Sequence, residues 1–353
     1  MARSYKLITT TFLRWECQYL WLKNYGEPAT VRHLAIVVAR DGDRLVGILP
    51  GYICSQKNSY QNHTVFYFIG SEFESTDYLD IIWSPEIPYD KICNELFSLA
   101  INLFPGLDLI CCRNLLNNIQ LVNCMETLAS NLNSSFLTQH HRVCPFVTPK
   151  ENWEAYLAKR GRNLRSNLRR KTRKLYEINA ETFHVLTSPR DCDYAMTQLF
   201  RLHDLRFKQL GEESKFVGPL RKTFHFAISK RFAESDILRI FQLRKDTKVL
   251  ATLYCFLYNN ELFYFQAGMD PEWHKSSVGM VLMGKVIHYV HKEGFKRFDF
   301  MRGSEAYKYK WTDQIRKMCN VYIATSSRGK RIIRYKKTYA LTKKGIRHFI
   351  PGI

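Results

Sequence analysis

Phe298-Asp299-Phe300-Met301-Arg302-Gly303-Ser304-Glu305-Ala306-Tyr307-Lys308 sets two acids, a glycine, a tyrosine and a lysine just beyond a short apolar strand. Alternation of Phe298 and Phe300 with Asp299 turns the aromatics to one side and the carboxylate to the other. Gly303 permits a sharp turn there. Polar groups leaving a strand end are where α/β proteins commonly build sites. Asp299 or Glu305 can orient an amine or take its proton. Lys308 can stabilise negative charge on a tetrahedral intermediate, and Tyr307 can donate a hydrogen bond or position substrate. A plain strand and a salt-bridged turn fit the same residues equally well.

The second chemical feature lies upstream. Pro271-Glu-Trp-His-Lys-Ser-Ser-Val-Gly-Met280 runs into Val281, Leu282, Val286, Tyr289 and Val290, which are spaced as one helix face. Ser276 and Ser277 are natural N-caps. An open helix start has backbone N–H groups without partners and a partial positive charge, which suits a phosphate. Lys275 adds a formal charge beside Ser276, Ser277, Val278, Gly279 and Met280. An ordinary capped helix, with Gly279 serving close packing, explains the pattern too. The histidines at 203, 225, 274, 288 and 291 show no partner spacing. No GxSxG, Walker loop, HExxH or dinucleotide glycine motif is present, which removes most support for hydrolase, kinase and dehydrogenase readings.

The elements that must position these residues occur twice. Leu34–Arg40 and Leu45–Tyr52 flank Asp41-Gly42-Asp43, and Ile237–Leu243 and Val249–Tyr258 flank Lys245-Asp246-Thr247. Both pairs read as β-hairpins. Each is followed by a strand (64–69, then 262–268), a helix-length segment (89–104, then 277–293) and a strand carrying an acid, Asp108 or Asp299. The order suggests two copies of one α/β unit, against chance similarity of two ordinary segments. Between them, 153–178 reads as one long basic helix with Leu164, Leu168 and Leu175 near one face, and 191–209 as another helix.

A 46% apolar, 14% aromatic chain of 353 residues has the material for two cores and is not a disordered chain. Its net charge of +21 is concentrated: residues 159–174 hold nine Lys/Arg and no acid, and residues 314–353 hold eleven and no acid. Such surfaces attract phosphates, anionic lipids or nucleic acid. Residues 159–174 have few aromatics for base stacking, and the pattern beyond 328 fits a helix or an extended arm. No apolar run is long enough to span a bilayer, and residues 1–20 make a poor signal peptide. The ten scattered cysteines lack metal-ligand spacing and point to a reducing cytoplasm with no metal. The expected location is cytoplasmic, or peripheral at the inner face of the membrane.

In Arg40–Pro50, Phe68–Gly70, Asp77–Asp80, Asn163–Arg170, Gly268–Glu272 with Ser277–Gly279, and Phe298–Gly303 with Tyr307, Lys308 and Trp311, the chain resembles the CelD/BcsL type of acyltransferase. That type lies within the GNAT superfamily and is related to FemAB-type aminoacyl transferases. The resemblance covers about Trp15 to Thr325. It implies an α/β chain of tandem GNAT-like folds with mixed central sheets flanked by helices. The expected division is residues 1–150, a basic linking helix 151–180, a donor-binding domain 181–326 and a basic tail 327–353. The implied activity is transfer of an acyl group from acetyl-CoA or another acyl-CoA to an amine, on a sugar or envelope precursor. In that family the donor pyrophosphate rests on a Q/R-x-x-G-x-G/A turn. Here Gly279 matches, Ser276 stands for Gln/Arg and Val281 for the last small residue. Related FemAB enzymes use a lysine in an F-K-x-x-F pattern, to which Tyr307–Trp311 is similar. Two alternatives stay open: an aminoacyl-tRNA-dependent transferase using the basic face, and a non-catalytic module held at an anionic membrane by the tail.

Overall fold

The computed structural model describes residues 10–26, 33–57, 62–71, 76–117, 119–180 and 182–349. The chain forms two compact units, residues 1–141 with 317–353, and residues 142–316.

The first unit begins with helix α1 (Trp15–Tyr25) and strands β1 (His33–Asp41), β2 (Arg44–Lys57), β3 (Asn62–Phe68) and the short β4 (Ile82–Trp83). Helix α2 (Tyr89–Leu103), strand β5 (Leu109–Leu116), helix α3 (Ile119–Asn131) and the first half of β6 (Phe136–Val147) follow. Later in the chain come the main part of β12 (Ile315–Ala324) and helix α10 (Ser327–Phe349). Gly42, at φ 60°, makes the hairpin turn between β1 and β2, a backbone conformation only glycine adopts freely. The sheet order is β1-β2-β3-β5-β12, antiparallel throughout except for β3 beside β5. Trp21, Tyr52 and Tyr67 pack as tilted rings in its core, with centroids 5.1 and 5.8 Å apart.

The second unit contains α4 (Trp153–Ala158), α5 (Arg162–Glu177), β7 (Thr182–Leu186), α6 (Cys192–Gln209), α7 (Pro219–Glu234), β8 (Leu238–Lys245), β9 (Lys248–Tyr258), β10 (Glu261–Met269), α8 (Val278–Lys292), β11 (Arg297–Asp299) and the one-turn α9 (Ala306–Tyr309). The order of its sheet is β7-β8-β9-β10-β11-β6. Apart from the additional antiparallel edge strand β7, it follows the first unit: two antiparallel pairings lead to one parallel pair, β10 with β11, and a final antiparallel strand. The repeat expected from sequence is thus present in the strand order of both units. Leu253 and Cys255 of β9 join the core under α5 and α8. Tyr254 and Phe256 alternate with them and meet an aromatic cluster from α7, including His225 and Phe232.

The basic segment differs from the single helix expected over 153–178. It breaks at Lys159–Gly161, where Gly161 is extended (ψ 141°), and resumes as α5. Leu164, Leu168 and Leu175, spaced four and seven residues apart, are buried in the second unit's core against α8. Each is worth about 1.5–3 kcal/mol of burial, so α5 is packed as a structural element of this unit. Gly284 on α8 allows the approach: a Cβ there would lie 2.8 Å from Leu168 and 3.2 Å from Trp311. The units divide at 141/142 and 316/317, where the sequence reading puts boundaries at 150/151 and 326/327. Backbone pairing is the reason, since residues 146–147 pair with β11 and residues 318–324 pair with β5. The basic tail forms α10 through Phe349 and groups with the first unit; its last residues lie outside the described ones. Among the described residues no helix is long and apolar enough to cross a membrane.

Candidate functional site

A cavity of about 290 Å³ in the second unit is lined by segments far apart in sequence. Ser277, Gly279 and Met280 come from the start of α8, and Tyr307 from α9, with Lys310 and Trp311 just after it. Thr252 comes from β9, Tyr264 from β10 and Arg206 from α6. The two sequence features singled out at 275–280 and 299–308 therefore meet here, through Gly279 and Tyr307.

Strand geometry opens the space. β10 and β11 pair only from Glu261/Arg297 to Phe263/Asp299, after which β10 continues to Met269 without β11. The register of β10 on β9 also shifts between Tyr264 and Gln266, a bulge that bends the strand at the cavity. Past β10, a short 3₁₀ turn over Pro271–Ser276 delivers the chain to α8. Ser277, left-handed at φ 56° and ψ 39°, redirects it, and its carbonyl accepts from Met280 and Val281 N–H at 3.0 and 3.1 Å. The N–H groups of Val278 and Gly279 precede the first helical bond. Gly279 also admits Met269, whose methyl would lie 2.6 Å from a Cβ at this position.

The charged residues lining the cavity are both cations, Arg206 and Lys310. With the positive end of α8 they make an environment for an anion. Thr252 is fully buried, and its hydroxyl has no hydrogen-bond partner among the described residues. A buried orphan hydroxyl in a cavity wall is a place for a polar ligand atom. The Tyr307 hydroxyl donates to that of Tyr264 at 3.5 Å. Burial pushes the Tyr264 phenol up to about 12. Burial, then the neighbouring Tyr264, pushes Tyr307 far above the ordinary tyrosine range. Both stay protonated and can donate.

The other sequence-predicted residues stand outside the lining. Asp299 is fully buried: one oxygen accepts from Met301 N–H at 2.6 Å and the other pairs with Arg316. Phe298 and Phe300 pack against each other in the core, as the alternation predicts, but the carboxylate's side is closed as well, so Asp299 is buried. Asp108, its counterpart in the first unit, is likewise engaged, with Thr64 N–H, Ser326 and Arg328. Lys308 is 3% exposed, and its ammonium reaches Arg302 O at 2.9 Å, Met301 O at 3.4 Å and Glu305 at 2.9 Å. Three acceptors take its three N–H donors, so it ties down the 301–305 loop. Burial would raise the Glu305 carboxyl, but the bond and charge of Lys308 hold it below the usual range. Lys275 is exposed, and its carbonyl accepts from Lys171. Ser276 ends the 3₁₀ turn, and Val278 is buried. Among the described residues no group of His, Cys, Asp and Glu is placed to hold a metal ion.

Sequence reasoning missed Arg206, Thr252 and Tyr264, whose strands and helix carry no local signal of a site. Lys310 and Trp311 fell within a run already singled out, yet no role was drawn from them.

Residues 162–309, under half of the chain but most of the second unit, match the family model described as an acetyltransferase (GNAT) domain. The fold is thus a pair of α/β units that share a strand order, the second of which carries the match to the GNAT acetyltransferase domain model. Solved structures with this fold include FemX (TM-score 0.55, 9% identity, 90% of this chain and 96% of that one). A second is the C-terminal domain of a protein described as lysylphosphatidylglycerol synthetase from Agrobacterium fabrum (0.54, 11%, 95% and 99%). A third is L-PGS from Bacillus licheniformis (0.52, 12%, 94% and 97%). No curated protein matches significantly.

Proposed function

We propose that the second unit is a GNAT-type N-acyltransferase that moves an acyl group from acyl-CoA, acetyl-CoA among them, to an amine. One observation carries this reading: within the matched region, the Ser277–Met280 turn and Tyr307 line one cavity. Donor phosphates would rest on the Val278 and Gly279 N–H groups, with Arg206 and Lys310 supplying charge. A neutral amine attacks the thioester carbonyl, forming the C–N bond as the C–S bond breaks. The nitrogen sheds one proton and the departing thiolate gains one. The Tyr307–Tyr264 hydroxyl pair can relay it without changing its own protonation. Asp299, through the Met301 amide, and Lys308, through the 301–305 carbonyls, serve as positioning residues, with Glu305 holding Lys308. The signature resembles the CelD/BcsL type, so a sugar amine or envelope precursor is the acceptor class to try first.

The test is thermal protection by acetyl-CoA and longer acyl-CoAs, with thiol release measured over a panel of amines. Ligand at a hundred times Kd stabilises by about 2.7 kcal/mol. Gly279→Leu, which fills the turn, should abolish the shift. Tyr307→Phe should keep it while lowering kcat about 10²-fold or more. Absence of any CoA-dependent shift in the wild type refutes the reading.

A FemAB-like, aminoacyl-tRNA-dependent transferase is the second reading. The exposed cations Arg162, Arg169, Arg170, Arg173 and Lys174 along α5 favour it. Dependence of turnover on added charged tRNA, falling steeply with salt, would replace the first reading with this one.

A further inference from the structure

A second cavity, of about 510 Å³, lies along the opposite run of α8 and shares no residue with the first. Its floor is Val281, Gly284 and Leu168, where α8 and α5 cross. Its walls are of two kinds. Trp153, His288 and Tyr176 supply rings, and Arg169, Arg173 and Lys285 supply positive charge, with Glu154 the one acid in the lining. Trp153 and His288 already stack, their centroids 5.1 Å apart and their planes 19° from parallel. Tyr176 is 67% exposed, so its ring face is open to a ligand. The sequence of 159–174 alone offered few aromatics for stacking. Folding supplies them from α4, from α8 and from the last turns of α5.

Rings and cations in one concave space are suited to a planar aromatic that carries a phosphate. A ring face takes any base, and arginine forks take phosphate oxygens. The volume falls within the range of small-ligand sites. Along α5, Arg162, Arg169, Arg170, Arg173 and Lys174 continue the positive charge beyond the groove. We infer that this groove binds a nucleoside phosphate, its base on the Trp153–His288 stack and against Tyr176, its phosphate on Arg169, Arg173 and Lys285. The site is independent of the acyl-donor cavity, so its failure would leave the acyltransferase reading untouched.

The experiment is calorimetric titration of the full-length protein with three probes: AMP and UMP, a single-stranded eight-nucleotide RNA, and inorganic polyphosphate of matched charge. Binding of the mononucleotides identifies a free nucleotide as the source, and binding of the RNA alone identifies a strand. Either supports the site if Tyr176→Ala weakens it by about five- to a hundredfold. Arg169→Ala/Arg173→Ala should also lower the salt slope for RNA by about 1.4. All these side chains are on the surface, and unchanged melting of the variants checks that the fold is kept. Polyphosphate binding as tightly as RNA, insensitivity to Tyr176→Ala, or no binding by any probe overturns the inference.

Discussion

Replacing Lys308 by methionine separates two uses of that lysine. From its residue type alone, it would stabilise an intermediate and could be removed with the fold intact. The structure gives a different expectation. The Glu305 partner is half exposed, so the ion pair contributes at most about 1 kcal/mol. The charged bond to Arg302 O is worth about 1.5–3 kcal/mol, and the longer one to Met301 O adds little. Lys308→Met should therefore cost about 2–4 kcal/mol, because two carbonyls lose their donor in a site that is 3% exposed. For a unit of this size that lowers Tm by about 5–15 °C. Turnover should fall in the same variant, since Tyr307 sits on the turn that Lys308 anchors. The assay is a thermal melt beside steady-state kinetics with acetyl-CoA. A variant that melts with the wild type yet has lost turnover would refute the anchoring argument and return Lys308 to the chemistry.

Two further expectations follow from buried contacts. Gly268→Ala places a Cβ 2.7 Å from Leu202 Cβ and 3.0 Å from the His203 amide on α6. A helix backbone cannot retreat cheaply, so chemical denaturation should show a loss of about 1–3 kcal/mol. A wild-type midpoint would disprove that contact. His203 is fully buried, stacked on Phe207 and bonded to Ser214 at 2.9 Å, and burial pushes its pKa down to about 4 while Asp204 pulls the other way. Neutral imidazole is favoured in the fold. Its contribution, about 3 kcal/mol, is thus complete above the unfolded value of about 6.5 and is lost as pH falls toward 4. Melts from pH 7.5 to 4 should show this decline, and His203→Gln should flatten it.

The hairpins were readable because turn chemistry and alternating apolar residues agree: Asp-Gly at 41–42 lies between β1 and β2 as expected. Helix α8 and strand β10 end within a residue or two of their sequence limits for the same reason. The break at Gly161 was hidden, because the charges of 159–174 run through it without interruption. The alternation of Phe298 and Phe300 with Asp299 was legible, but not the closure of the carboxylate's side, since all three residues are buried. What makes that possible is Arg316, which lies beyond the reach of any local pattern. Half of the cavity's polar lining comes from such distant positions, so only its Gly279 and Tyr307 ends were visible from sequence.

The non-contiguous first unit sets an order on biosynthesis. Residues 142–316 form an uninterrupted stretch and can close their sheet as soon as Arg316 has left the ribosome. The other unit must wait for residues 318–324 to cover the open edge of β5. Until then that nascent half carries an unprotected strand, the kind of edge that invites association with other chains. Expression yield should respond more to changes in β12 than its modest length suggests.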